Sequence, residues 1–210
     1  MRSLTIPVCL LILVAVAPRT ASAAGEWFAD IYLGASVTQN TDVSTTTAGP
    51  TTSQDELYGS SVNPGLRVGR WFESIPWLGL ALDASYFGPQ DDIQVIPISA
   101  LLMARLTLLK DADFPDGRLH PYVGVGPGLF VTHLDGDLGS FREVSDTTVD
   151  VGADVRLGVL LRVEGNIAIF SEYRFTHVSP SFSFDTAGGT RNADTTFNTH
   201  HVVVGVSFRF

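Results

Sequence analysis

The sequence predicts an all-β chain folded as a closed, antiparallel, eight-stranded up-and-down transmembrane β-barrel. Three observations predict it. Eight segments, each about ten residues long and so able to tilt across a bilayer, alternate apolar residues with polar residues or glycine. The connections between them alternate between short and long. The chain of 210 residues also contains a single Lys, Lys110, so the polar faces are too poor in charge to coat a soluble protein of this size.

The first element is a leader. Arg2 is followed by an apolar stretch from Leu4 to Ala17 and then by Ala21-Ser22-Ala23, the small residues a signal peptidase requires. The predicted division is residues 1–23 as signal peptide and 24–210 as the barrel domain. A helical membrane anchor needs roughly 20 apolar residues, and this stretch is shorter and interrupted by Pro7. Cys9, the sole cysteine, lies inside the apolar region rather than directly after the cleavage site, which argues against lipidation. Cleavage removes it together with Arg2 and Arg19. The exported chain then has no cysteine for a disulfide, and its 11 basic residues face 22 acidic ones, a net charge of −11. So acidic a chain is a poor nucleic-acid binder.

The strands follow in order. Successive side chains of a strand point to opposite faces, whereas a helix would mix the two sets. Trp27 to Thr38 sets Ala29, Ile31, Leu33, Ala35 and Val37 against Asp30, Tyr32, Gly34 and Ser36. Val62 to Trp71 sets Val62, Leu66 and Val68 against Asn63, Gly65, Arg67 and Gly69. Trp77 to Tyr86 opposes Leu80, Leu82 and Ala84 to Gly79, Asp83 and Ser85. Ile96 to Leu108 opposes Ile98, Leu102 and Leu106 to Ser99 and Arg105, with Leu101 and Met103 blurring the pattern. Pro121 to Thr132 places Val123, Val125, Leu129 and Val131 against Tyr122, Gly124, Gly126 and Gly128. Val149 to Val163 is the clearest case: every odd position is apolar, and Asp150, Gly152, Asp154, Arg156, Gly158 and Arg162 lie between, with Leu160 the exception. Ile167 to His177 sets Ile169, Tyr173 and Phe175 against Glu172, Arg174 and Thr176. Thr199 to Phe210 sets Val202, Val204, Val206, Phe208 and Phe210 against His201, Gly205, Ser207 and Arg209.

Phe72–Pro76, the stretch around Asp116-Gly117 and Glu164-Gly165-Asn166 are the shorter turns. Connections at roughly 39 to 58, 133 to 147 and 178 to 197 are long and rich in Thr, Ser, Asp and Gly, and Phe87 to Gln94 is intermediate. Short periplasmic turns and long external loops characterise outer-membrane barrels, which puts both termini in the periplasm.

Which face meets lipid follows from side-chain size. Eight strands enclose only enough space for their own side chains, so the Gly-rich face belongs inside and the apolar face outside. Trp27, Trp71 and Trp77 all fall at strand ends served by short turns and are expected to form an interfacial girdle on that side. Arg67, Asp83, Arg105, Asp154, Arg156, Glu172 and Arg174 then point into the lumen. Charges in so narrow a space must pair, so a structural salt-bridge plug is expected; an ion pathway is the functional rival.

Three stretches carry a family resemblance: Phe170-Ser171-Glu172-Tyr173-Arg174-Phe175-Thr176-His177, Pro121-Tyr122-Val123-Gly124-Val125-Gly126-Pro127-Gly128, and the final Val206-Ser207-Phe208-Arg209-Phe210. With them the chain resembles the OmpA-like or OmpX-like outer-membrane β-barrel (porin-like) family over essentially its whole exported length. The resemblance implies that Phe208 and the terminal Phe210 form the signal read by the barrel assembly machinery. It implies a structural or surface-interaction role, outer-membrane lipid and lipopolysaccharide as neighbours, an extracellular ligand at the loops, and no cofactor. No periplasmic peptidoglycan-binding domain is recognisable.

The remaining motifs are weaker. Gly124 to Gly128 lies within a strand with no following helix to present amides to phosphate. Asp135-Gly136-Asp137 lacks the rest of a calcium loop. His200 and His201 are adjacent in a strand and face opposite sides, so they cannot share a metal. His177-Val178-Ser179 resembles the His-x-Ser element of outer-membrane lipid A deacylases, with His as base and Ser as nucleophile; Asp185 or Asp194 would be the orienting acid. The chain departs from that pattern in having Pro180 where Asn is usual, and no Glu follows Glu172. The expected enzyme activity is therefore none.

Overall fold

The computed structural model of the protein describes residues 25–39, 41–46, 52–56, 59–90, 93–136, 144–186, 189–194 and 196–210. The predicted leader, residues 1–23, and the side chains of Asp135 and Asp137 lie outside the described residues. In chain order the strands are β1 (Trp27–Thr38), β2 (Thr41–Thr46), β3 (Thr52–Glu56), β4 (Ser60–Trp71), β5 (Leu78–Ser85), β6 (Phe87–Gln90), β7 (Ile93–Arg105), β8 (Leu119–Gly136), β9 (Val144–Glu164), β10 (Ile167–Val178), β11 (Ser181–Thr186), β12 (Gly189–Asp194) and β13 (Phe197–Arg209).

Eight of these strands are barrel staves. Their order is β5-β4-β1-β13-β10-β9-β8-β7, and β5 pairs with β7, so the sheet closes on itself. Every neighbouring pair is antiparallel. Closure satisfies the backbone of every stave, the condition for a sheet in hydrocarbon. The first and last strands meet along Phe28↔Arg209 to Thr38↔Thr199, and the Phe210 amide donates to the Trp27 carbonyl at 3.0 Å.

Burial alternates along the staves as the sequence does. On the outside stand Ile31, Leu33, Val62, Leu82, Val125, Val151, Leu157, Val202 and Val204, all large, apolar and exposed. The buried face holds the glycines, and the register shows what they are for. Tyr32 pairs with Gly65, Phe28 with Gly69, Tyr122 with Gly158 and Phe170 with Gly205. Each ring lies against its glycine: a Cβ added at Gly65 or Gly158 would sit 2.3 Å and 2.4 Å from the neighbouring tyrosine ring. Large and small residues thus alternate so that the rings fit the narrow interior.

Two apolar clusters fill the ends of the lumen. Phe28, Trp71, Leu101, Met103, Leu160 and Ala168 pack at the short-turn end. Phe87, Ile93, Val95, Phe130, Val178 and Phe197 pack at the long-loop end. Leu101, Met103 and Leu160, which blur the alternation in the sequence, are therefore luminal core residues.

Besides the longer β8 and β9, which run to Gly136 and start from Val144 and so shorten the expected 133–147 connection, the structure departs from the sequence expectation in three places. Trp71 is 3 % exposed and faces the lumen, stacked on Phe28 at 5.8 Å, so it is not part of an external girdle. Its position in β4 matches Asn63, Gly65, Arg67 and Gly69, all on the inner face. Secondly, β7 ends at Arg105 rather than Leu108, which makes only a single bridge to Leu119 before the chain turns through Leu109 at φ 54°. Thirdly, the long connections contain β2, β3, β11 and β12, which form a second sheet in the order β11-β12-β2-β3.

Candidate functional site

The charged lumen is the candidate site. At its centre Arg67 donates from Nε to Asp30 Oδ2 at 2.7 Å and from Nη1 to Glu172 Oε2 at 2.6 Å. Arg156 reaches Asp83 Oδ2 through Nη1 and Asp154 Oδ2 through Nη2, both at 2.7 Å. Arg174 spans Glu172 Oε1 at 3.2 Å and Asp83 Oδ1 at 3.4 Å. Hydroxyls serve three of the carboxylates: Tyr122 donates to Glu172, Tyr32 to Asp83 and Ser99 to Asp154, each at 2.8 Å, while Asp30 Oδ1 and Arg174 Nε are buried without a partner among the described residues. These groups come from β1, β4, β5, β7, β8, β9 and β10, and every charged member is at most 3 % exposed.

Desolvating so many charges is costly, and mutual pairing with hydrogen bonding offsets it. Four carboxylates against three guanidiniums leave the cluster close to neutral. The rings share the work, since the Arg67 guanidinium lies 5.2 Å from the Phe170 centroid and that of Arg174 4.9 Å from Tyr32.

Arg105 is luminal but stands apart from this network. It belongs to a second cluster at the short-turn mouth, where Glu26, just before β1, accepts from Arg105 Nη1 at 2.5 Å, from Arg209 Nη1 at 3.2 Å and from Arg162 Nη2. Burial alone would raise the Glu26 carboxyl, but Arg209, Arg105 and Arg162 together hold it below the usual carboxylate range. Arg105 also lies 4.3 Å over the Trp71 ring. Between the two clusters is a cavity of about 10 Å³ bordered by Asp30, Arg67, Trp71 and Tyr122, about the room of one water.

Sequence parity reads the face of each lumen charge, yet it omits partners the structure supplies. Asp30, Tyr32 and Tyr122 share the glycine parity and could have been enrolled on that signal. Glu26 precedes the first strand and has no parity to read. Above the central cluster, His201 bonds to Asn63 at 2.6 Å and to Thr176 at 3.0 Å, fully buried, while His200 faces outward.

Trp27 and Trp77 are on the outer surface near the short-turn end, 44 % and 56 % exposed. Phe208 and Phe210 are outward-facing on the last strand. His177 Nδ1 donates to Asn198 Oδ1 at 2.7 Å, whereas Ser179 Oγ bonds Thr196 Oγ1 at 3.1 Å. Histidine and serine are thus each engaged elsewhere, and the side chains of Asp185 and Asp194 lie outside the described residues. Among the described residues no group of three or more His, Cys, Asp or Glu could hold a metal ion.

A closed eight-stranded barrel, apolar outside and packed with its own charged and aromatic side chains, defines a small membrane-spanning β-barrel. The family model described as outer membrane protein beta-barrel domain matches residues 8–210, and the chain belongs to that family. Comparison with curated proteins returns no match. Among solved structures, the outer membrane protein OprG from Pseudomonas aeruginosa is similar at 13 % identity and a TM-score of 0.69, over 89 % of this chain and 96 % of that one. AlkL, solved in lipid bilayers, is similar at 13 % identity and a TM-score of 0.55, over 92 % and 94 %. The N-terminal barrel domain of Pseudomonas aeruginosa OprF has 12 % identity and a TM-score of 0.52, over 89 % and 98 %. At such identities these likenesses speak to fold alone.

Proposed function

We propose that the protein is a non-enzymatic outer-membrane barrel with a structural or surface-interaction role, its short turns and termini in the periplasm and its long loops outside. The observation that carries this reading is the lumen. Among the described residues, ion pairs seated between two apolar clusters fill the lumen, and the barrel wall and the loops, rather than a pore, are read as the surfaces that meet other molecules. The connections spanning residues 39–59, 86–92, 137–143 and 179–196 hold nine Asp and Glu against Arg142 and Arg191. Such an imbalance favours a cationic ligand at the loops. Outer-membrane lipid surrounds the wall, Trp27 and Trp77 sit at the periplasmic headgroups, and Phe208 with Phe210 presents the assembly signal.

Planar-bilayer recording tests it. Purified, refolded protein is expected to give no stepwise conductance. Regular current steps that change size in Arg156→Ala would overturn the closed lumen and favour a narrow channel.

A further inference from the structure

Outside the barrel wall, β10, β13 and the end of β1 carry a polar and aromatic cluster that the plugged-lumen reading does not use. Tyr173, Phe175 and His177 of β10 face outward beside Asn198 and His200 of β13, with Gln39 above them. His200 lies between two rings, its centroid 6.0 Å from Tyr173 and 5.2 Å from Phe175.

Its height follows from strand geometry. Ten residues separate His200 from Phe210, which is about 33 Å along a strand and about 25 Å in height at a tilt near 40°, the thickness of the apolar band of such barrels. The cluster is therefore at the boundary opposite Trp27 and Trp77. About ten residues up from their own short-turn ends, the other staves present Val37, Val62, Tyr86, Ile96, Leu129 and Ala153 outward. The cluster is thus one-sided, a patch rather than a uniform belt.

The hydrogen-bond roles identify what the patch fits. Gln39 Nε2 can only donate, so His200 Nε2 accepts at 2.9 Å. The His200 proton is then on Nδ1 and is donated to Tyr173 Oη at 2.6 Å, which leaves the phenol hydrogen available as a donor. Asn198 Oδ1 accepts from His177 Nδ1, leaving the Asn198 amide hydrogens and the His177 Nε2 lone pair. Donors and acceptors therefore stand side by side in a cluster without Lys or Arg. A phosphate would serve only the donors and an acyl chain neither. Hydroxyls, which donate and accept at once, serve both.

We propose that this patch binds the saccharide headgroup of an outer-leaflet glycolipid. The same strands supply the berth for its acyl chains: level with Tyr173 and below it toward the short turns, Val202, Val204 and Ile169 are exposed and apolar. The inference rests on the long-loop end facing outward, and the experiment separates the two.

The test uses the refolded chain in phosphatidylglycerol nanodiscs titrated with a diglycosyl diacylglycerol, which has sugars and acyl chains but no phosphate, with bound lipid counted by native mass spectrometry. The triple variant Tyr173→Phe, His177→Leu, Asn198→Leu is expected to bind about tenfold more weakly than wild type, the loss of a few hydrogen bonds. Because these side chains are external, heat-modifiable migration should confirm that the variant folds, and Tyr173→Phe alone should weaken binding in the same direction. Equal binding by wild type and both variants overturns the proposal. So does a soluble disaccharide that binds as tightly as the glycolipid, since the membrane source would then be wrong. Orientation is read separately with an impermeant thiol label on Ser53→Cys in intact cells: labelling supports the outward loops, and its absence refutes the orientation whatever the lipid titration gives.

Discussion

Glu172 shows how tightly the central charges depend on one another. It accepts from Arg67, Tyr122 and Arg174, and Arg156 lies within 3.6 Å. Glu172→Ala would leave guanidiniums buried without their counter-charge, and a loss of about 3–5 kcal/mol is expected. Urea unfolding in micelles, followed by heat-modifiable gel migration, measures it. Glu26 behaves differently because it titrates at the mouth. Its folded-state pKa lies below the usual carboxylate value. The stability it contributes is therefore complete above that usual value and is lost as pH falls through the lower, folded one. Wild type should lose thermal stability on acidification below about pH 4, and Glu26→Gln should lose less over the same interval. The inner face of each charge was legible in the sequence from parity alone. Its partner was not, because parity gives a face and says nothing of the height at which two strands bring side chains together. Trp71 makes the same point in reverse. Its residue type and strand-end position suggested the girdle, while its parity with Arg67 and Gly69 placed it inside.

At the level of strands, the glycines are selected by the rings opposite them. Gly158→Ala would drive a Cβ to 2.4 Å from the Tyr122 ring, and Gly65→Ala to 2.3 Å from that of Tyr32. Because the rings are themselves hydrogen-bonded to Glu172 and Asp83, they cannot yield freely, and overpacking of about 1–3 kcal/mol is expected at each. Gly124→Ala is the internal comparison. Its Cβ would find Met103 at 3.6 Å and Arg156 at 3.7 Å, ordinary contact distances. That variant should match or slightly exceed wild type, since glycine weakens a strand interior. Urea midpoints of the three variants check the ranking. The staves themselves were legible because each has an apolar face to alternate with. β2, β3 and β12 were not, since Thr- and Ser-rich runs such as Thr41–Thr46 and Thr52–Glu56 carry no apolar face and signal a loop as readily as a hairpin; β11 does alternate at Phe182 and Phe184 but is only six residues long, too short to read as a stave.

For the whole molecule, the decisive distinction is between the surface that meets lipid and the surface that is packed away. Closure through β5–β7 and β1–β13 removes every stave edge, and the apolar outer residues leave the wall no soluble partner to match. The interior is filled so that stability comes from ion pairs and ring-on-glycine packing, without a disulfide. Tryptophan fluorescence in bilayers reads both surfaces at once. Three variants, each keeping one of Trp27, Trp71 and Trp77 and replacing the others with Phe, are reconstituted into vesicles containing lipids brominated near the headgroup end of the acyl chain. Trp27 and Trp77 should be strongly quenched and Trp71 spared. Quenching of Trp71 as strong as that of the other two, or none at Trp27 and Trp77, would contradict the assignment of the apolar face to lipid and the charged face to the lumen.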